Sequence, residues 1–125
     1  VISVHLDFSR RKVREAQISE MKTVLQGVSE PVIILGDFNT DWDAEDASLR
    51  TIADNGKFKV YQPEAVNLGT YKNGKHRLDW ILISRDLEFV SYDVPQVLLS
   101  DHQPVQARIR FLEYPKHTKE RQNTE

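Results

Sequence analysis

The run Val32–Ile33–Ile34–Leu35, entered through Pro31 and left through Gly36–Asp37–Phe38–Asn39–Thr40, constrains this chain more than any other stretch. Pro31 has a fixed φ and no N–H, which rigidifies the entry. Four apolar residues in succession, two of them isoleucine, read as a strand buried on both faces. A side-chain period of two then sets Asp37 and Asn39 on one face and Phe38 on the other. A carboxylate and a carboxamide thus leave the tip of a buried strand together. Such hard oxygen donors suit a divalent cation and a phosphate ester better than zinc or haem. On its own, the pattern serves equally well as a strand ending in a polar Asx turn.

A second strand of the same kind runs through Arg77–Leu78–Asp79–Trp80–Ile81–Leu82–Ile83–Ser84. Alternation places Leu78, Trp80 and Leu82 on one face, and Asp79, Ile81 and Ile83 on the other. A carboxylate sharing a face with two isoleucines needs a partner, because burying it alone is expensive. A histidine or the adjacent Arg77 can fill that place.

The remaining segments read as a single α/β unit. Residues 1–6 alternate as a strand, and His5 and Asp7 stand at its end. A lone histidine there serves a structural role as readily as a catalytic one. A strand that starts at the first residue suggests a chain extending upstream. Between Arg11 and Gln26 the period becomes helical, with Val13, Gln17, Ile18, Met21, Val24 and Leu25 as a stripe. Ser9 is the expected N-cap and Gly27 the expected C′ residue. The resulting strand–helix–strand is either a parallel crossover or its antiparallel relative.

The loop Thr40–Asp41–Trp42–Asp43–Ala44–Glu45–Asp46 is acidic but lacks the glycine that a calcium loop needs at its sharp turn. Its acids are expected to favour the N-terminus of a helix over 47–54, ended by Asn55–Gly56. A short strand over 59–61, a loop over 63–69 and a turn at Asn73–Gly74 follow. Residues 88–94 and 96–99 read as one strand broken or bulged at Pro95. Next come Ser100–Asp101–His102–Gln103–Pro104 and an alternating strand over 105–111. Asp101 and His102, adjacent on a loop, can present a carboxylate ligand and an imidazole acid/base to one site.

Composition closes off several classes. A chain of 125 residues with 39% hydrophobic content builds one small domain. With 17 Lys+Arg against 19 Asp+Glu, a net charge of −2 excludes a basic coat for nucleic acid. Phosphate binding must therefore come from a local site or a metal. The absence of cysteine excludes a disulfide framework and a thiolate metal site, and leaves the compartment open with the cytoplasm as default. No apolar run approaches the ~20 residues of a membrane span, and no signal-peptide pattern is present.

Val4–His5–Leu6–Asp7, Gly36–Asp37–Phe38–Asn39, Arg77–Leu78–Asp79–Trp80 and Ser100–Asp101–His102–Gln103–Pro104–Val105 together resemble the endonuclease/exonuclease/phosphatase superfamily in order and spacing. The resemblance reaches to about Phe111. It implies half of a four-layer αββα sandwich, a mixed sheet with helices on one face. The C-terminal half of the domain is then residues 1–112, and 113–125 form a charged, mobile tail. The implied activity is that of a magnesium-dependent phosphoester hydrolase, of nuclease, phosphodiesterase or phosphatase type, with manganese as an alternative ion.

The resemblance also implies roles for single residues. Asp37 orients or deprotonates the attacking water, and Asn39 holds the phosphate or a metal. Asp101 is a magnesium carboxylate, with Asp37 and Asn39 as further ligands. His102 contacts the phosphate and assists proton transfer, Asp79 orients it, and His5 makes a second phosphate contact. The family's first-strand Asn and its principal Glu ligand lie upstream of Val1. From this follow an incomplete metal site, little activity alone, and an apolar sheet face left bare to pair with the missing half or a second copy. The alternative is a non-catalytic binding module of the same fold. Nucleic acid, phosphoinositide, sphingolipid and small phosphate esters all remain compatible substrates. The loops after Asn39 and over 61–74 are expected to set the choice. Lys72, Lys75, His76 and Arg77 are the basic cluster nearest the site, and DNA enters only through the resemblance.

Overall fold

The computed structural model describes residues 1–45, 47–53 and 57–113. The tail expected over 113–125 therefore lies, from residue 114 onward, outside the described residues, as do Asp54 and the Asn55–Gly56 helix end. Among the described residues, six strands and two helices follow in the order β1 (Ile2–His5), α1 (Arg11–Leu25), β2 (Ile33–Asp37), α2 (Ser48–Ala53), β3 (Phe58–Val60), β4 (Asp79–Ser84), β5 (Leu87–Asp93) and β6 (Gln106–Phe111). Four strands form a mixed sheet in the order β1-β2-β4-β3. β1 and β2 are parallel, so α1 is a crossover helix, while β4 runs antiparallel to both β2 and β3.

The two apolar runs sit side by side at the centre of this sheet, where both faces are covered. On one face Ile34, Phe38, Trp80 and Leu82 pack with Ile18 of α1 and with Leu49 and Ile52 of α2. Met21 and Leu25, three and seven residues beyond Ile18, continue the contact, as helical periodicity requires. Each fully buried aliphatic chain contributes about 1.5–3 kcal/mol. Both helices lie on this one face, as expected. Gly36 completes the junction: its φ is +139°, and a Cβ there would meet the Val4 carbonyl oxygen at 2.0 Å. Only glycine lets β1 and β2 approach so closely at this point.

The second face carries Ile33, Leu35, Ile81 and Ile83, and it is not bare. The two-stranded ribbon β5-β6 closes it with Phe89, Tyr92, Val105, Ala107 and Ile109. The described residues therefore form a four-stranded sheet and a two-stranded second layer, because β5 leaves β4 through Arg85–Asp86 without pairing with it. The outward alternate positions of β6 are Gln106, Arg108 and Arg110, all exposed. An apolar sheet face free for a second copy is thus absent among the described residues.

Local details depart from the sequence reading in four places. The N-cap of α1 is Arg10 and not Ser9, because the Asp7 carboxylate accepts from the Ser9 and Arg10 backbone N–H groups. The first turn of α2 carries no acid. Asp41 from the acidic loop binds His76 and the Arg77 N–H instead. The ribbon's bulge falls between Phe89 and Ser91, away from Pro95. Residues 96–99 are not a strand, and Leu98 and Leu99 are exposed.

Candidate active site

Sheet register explains why residues distant in sequence meet. His5 is the partner of Asp37 across β1–β2, and Asp37 is the partner of Asp79 across β2–β4. Three titratable side chains therefore form one row across three neighbouring strand ends. His102 closes the row from the loop between β5 and β6. That loop is tied down where Tyr71 bridges both His76 and His102, and where the Gln103 N–H donates to the Thr70 carbonyl at 2.7 Å.

Asp79 finds its partner in His102 rather than in Arg77. The His102 Nδ1 to Asp79 Oδ2 distance is 2.7 Å, and Thr70 Oγ1 donates to the same oxygen at 2.6 Å. Arg77 instead donates to the Tyr61 and Gln62 carbonyls and stacks on Trp80, 3.9 Å from its ring centre. With Nδ1 engaged, His102 directs Nε2 toward Asp37, 3.8 Å away. His5 Nε2 approaches the same Asp37 oxygen at 3.7 Å, but its side chain is largely exposed. One carboxylate thus lies between two imidazoles.

The electrostatics follow from burial and charge. Burial raises the Asp37 pKa above its usual 3.8, and the Asp79 charge adds to this, against the Asn39 N–H bond and the two histidines. For His102, burial works against the charged form. The Asp79 hydrogen bond and the charges of Asp79, Asp37 and Asp101 outweigh it and raise the pKa above 6.5. A carboxylate with a raised pKa beside an imidazole whose pKa is also raised is an arrangement suited to proton transfer.

Asn39 occupies the left-handed region, with φ +51°. Its N–H donates to Asp37 Oδ1 and its Nδ2 to the Leu6 carbonyl at 2.7 Å, so its side-chain oxygen remains as the acceptor. Asp37, Asp79 and His102 each offer a ligand atom within 4.8 Å of the others. Asp101 stands outside this group, exposed, with one carboxylate oxygen, Oδ1, accepting from Ser100 Oγ. It lines the same open cleft of about 760 Å³ as His5, Asp37, Asn39 and His102. Lys72 and His76 line this cleft too, whereas Lys75 borders a neighbouring one and Arg77 is buried, so the expected basic cluster is divided. Asp7 points elsewhere: its hydrogen bonds with Arg10 hold its carboxyl at about 2.

His5, Asp37, Asn39, Asp101 and His102 therefore line one cleft, and Asp79 stands behind it, joined to it through His102. Thr70 and Tyr71 were not foreseen. Tyr71 lies with its ring centre 4.8 Å from that of His102. Neither has a local signature, since Thr70 meets Asp79 only after the turn at 72–75 reverses the chain.

The endonuclease/exonuclease/phosphatase family model matches residues 22–102, and the chain belongs to that family. Solved structures share the fold. An endonuclease/exonuclease/phosphatase family protein from Bacteroides thetaiotaomicron is 23% identical, with a TM-score of 0.71, over 89% of this chain and 49% of its own. A mannosyl-6-phosphatase from the same organism is 24% identical, with a TM-score of 0.68, over 87% and 50%. The human Nocturnin catalytic domain with a bound sulfate anion is 20% identical, with a TM-score of 0.63, over 88% and 45%. The chain thus spans about half the length of these proteins. No curated protein matches it by sequence. Among the described residues no helix is long and apolar enough to cross a membrane.

Proposed function

We propose that this chain supplies the nucleophile-activating half of a divalent-metal-dependent phosphoester hydrolase. The observation that carries the reading is the Asp37 carboxylate set between His102 and His5, with His102 anchored by Asp79 at 2.7 Å. Asp37 accepts the proton of the attacking water, and its burial-raised pKa makes it the stronger base. The His102 imidazolium donates from Nε2 to a phosphate oxygen as charge develops there. His5, at the exposed rim, makes a second phosphate contact; Lys72 adds a cation to the lining, and His76 lies beside it.

The donor set fits a hard cation: the oxygens of Asp37, Asn39 and Asp101 would hold magnesium or manganese. When bound, the ion neutralises charge on the phosphate's non-bridging and leaving oxygens. The further ligands are proposed to come from a segment outside these 125 residues. Among the described residues the ribbon β5-β6 has two unpaired edges, where strands of that segment would complete the second sheet. On this reading residues 1–112 are half of a domain, and the chain alone has little activity.

The test is hydrolysis of p-nitrophenyl phosphate and bis(p-nitrophenyl) phosphate with magnesium, by the chain alone and by a version extended upstream. Turnover confined to the extended protein, and abolished by EDTA, is the expected result. Robust turnover by the repurified chain alone would refute the half-domain reading. No turnover by the extended protein, despite a folded state, would favour a binding module.

A further inference from the structure

Thr70 is fully buried, and every hydrogen-bonding position of its hydroxyl is assigned. A hydroxyl has one proton to give and two lone pairs to receive. The Leu78 and Asp79 backbone N–H groups donate to Oγ1 at 3.1 and 3.3 Å, which occupies the lone pairs. The proton is then committed to Asp79 Oδ2, 2.6 Å away. A carboxylate oxygen is an acceptor only, and one that already accepts from Thr70 has a lone pair left but no proton to give. In the carboxylate form of Asp79, His102 Nδ1, 2.7 Å from that same oxygen, is therefore the donor of their bond. The ring's remaining nitrogen, Nε2, is left without a proton when the imidazole is neutral, facing Asp37 and the cleft.

We propose that Thr70 is a positioning residue that holds Asp79 Oδ2 as an acceptor and thereby fixes His102 in the Nδ1–H tautomer, with Nε2 toward the cleft. The same residue also sets where the His102 loop sits. Its carbonyl accepts from the Gln103 N–H at 2.7 Å, and its own N–H donates to the His76 carbonyl at 2.8 Å. One buried threonine thus links the orienting carboxylate, the imidazole loop and the 71–76 turn. Replacing its hydroxyl by a methyl group leaves two backbone N–H groups without their acceptor and one carboxylate oxygen with a single donor in place of two. Asp79 is then free to turn or to take a proton, and either change removes its hold on Nδ1–H. The consequence for proton transfer rests on the hydrolase reading above, but the tautomer is observable without any turnover.

The experiment is ¹⁵N NMR of the histidine rings in the metal-free 125-residue chain, at an alkaline pH where imidazole is neutral. In the unsubstituted chain His102 should show the Nδ1–H pattern, together with a slowly exchanging Thr70 hydroxyl proton close to the His102 ring. Thr70→Val should lose the Nδ1–H pattern in favour of a tautomer mixture, and Thr70→Ser should restore it. An Nε2–H pattern in the unsubstituted chain would overturn the proposal. So would a rapidly exchanging Thr70 hydroxyl, or a folded Thr70→Val with the pattern unchanged. Should Thr70→Val not fold, the tautomer and hydroxyl exchange of the unsubstituted chain decide. Failure of the phosphoesterase assay leaves these spectra unaffected, so the two readings fall separately.

Discussion

The four-stranded sheet and the β5-β6 ribbon are built to different standards. The sheet is covered on both faces, by helices on one and by the ribbon on the other. The ribbon buries a single face and turns Arg108 and Arg110 outward. The candidate site spans both. Asp37 and Asp79 stand on the sheet, whereas His102 arrives on the loop that the ribbon carries. Carboxylates are thus placed by the sheet that is covered on both faces, and the imidazole is brought to them by a loop of the ribbon that is covered on one. The Thr70 and Tyr71 contacts make up that difference.

Substitutions can sharpen or break this contrast. The largest effect is expected from Gly36→Ala, which drives a Cβ against the Val4 carbonyl at a φ that alanine avoids. A loss of about 3–5 kcal/mol, or failure to fold, should appear in urea unfolding. Leu82→Ala, at the fully buried sheet centre, should cost about 2–5 kcal/mol by the same measurement. Ile109→Ala in the half-buried ribbon should cost about half as much. Equal losses at the two positions would erase the distinction between sheet and ribbon.

Charge at the site gives effects of smaller size and known sign. The Asp37 pKa is raised on folding, so the stability it lends is complete below about pH 3.8 and is lost as pH rises through its folded value. At neutral pH its ionised form opposes folding, and Asp37→Asn should raise the melting temperature of the metal-free chain. The His102 pKa is also raised, so its contribution is complete below pH 6.5 and fades as pH climbs through the folded value. His102→Ala should flatten the stability profile over that window, from pH 6.5 upward. Least of all, Leu98→Ser at a fully exposed position should change stability by no more than about 0.5 kcal/mol.

The same contrast governs what could be read from the sequence. The sheet's central strands announce themselves because residues 32–35 and 80–83 are apolar without interruption, and Asp37 and Asp79 interrupt that pattern at its ends. The partner of Asp79 was narrowed to two candidates. Choosing His102 over Arg77 needed the fold, since Arg77 spends its donors on carbonyls 15 and 16 residues away. Ser9 looked like a cap because its type favours the position, but the Asp7 carboxylate reached the same N–H groups. The acidic loop suggested a helix dipole, whereas Asp41 reached 35 residues ahead to His76. The departure of β5 into a second layer was not legible, because nothing local in Arg85–Asp86 signals that β4 and β5 do not pair. Local chemistry was legible, and choices settled by long-range competition were not.

Hydrolysis at this site requires His102 to act with Asp37 on a phosphate ester. The direct measurement is magnesium-dependent hydrolysis of bis(p-nitrophenyl) phosphate by the upstream-extended protein, with and without His102→Ala. A loss of about 10²–10⁴-fold in kcat, with the fold intact, is the predicted result. Turnover by the His102→Ala protein at the unsubstituted rate would contradict it.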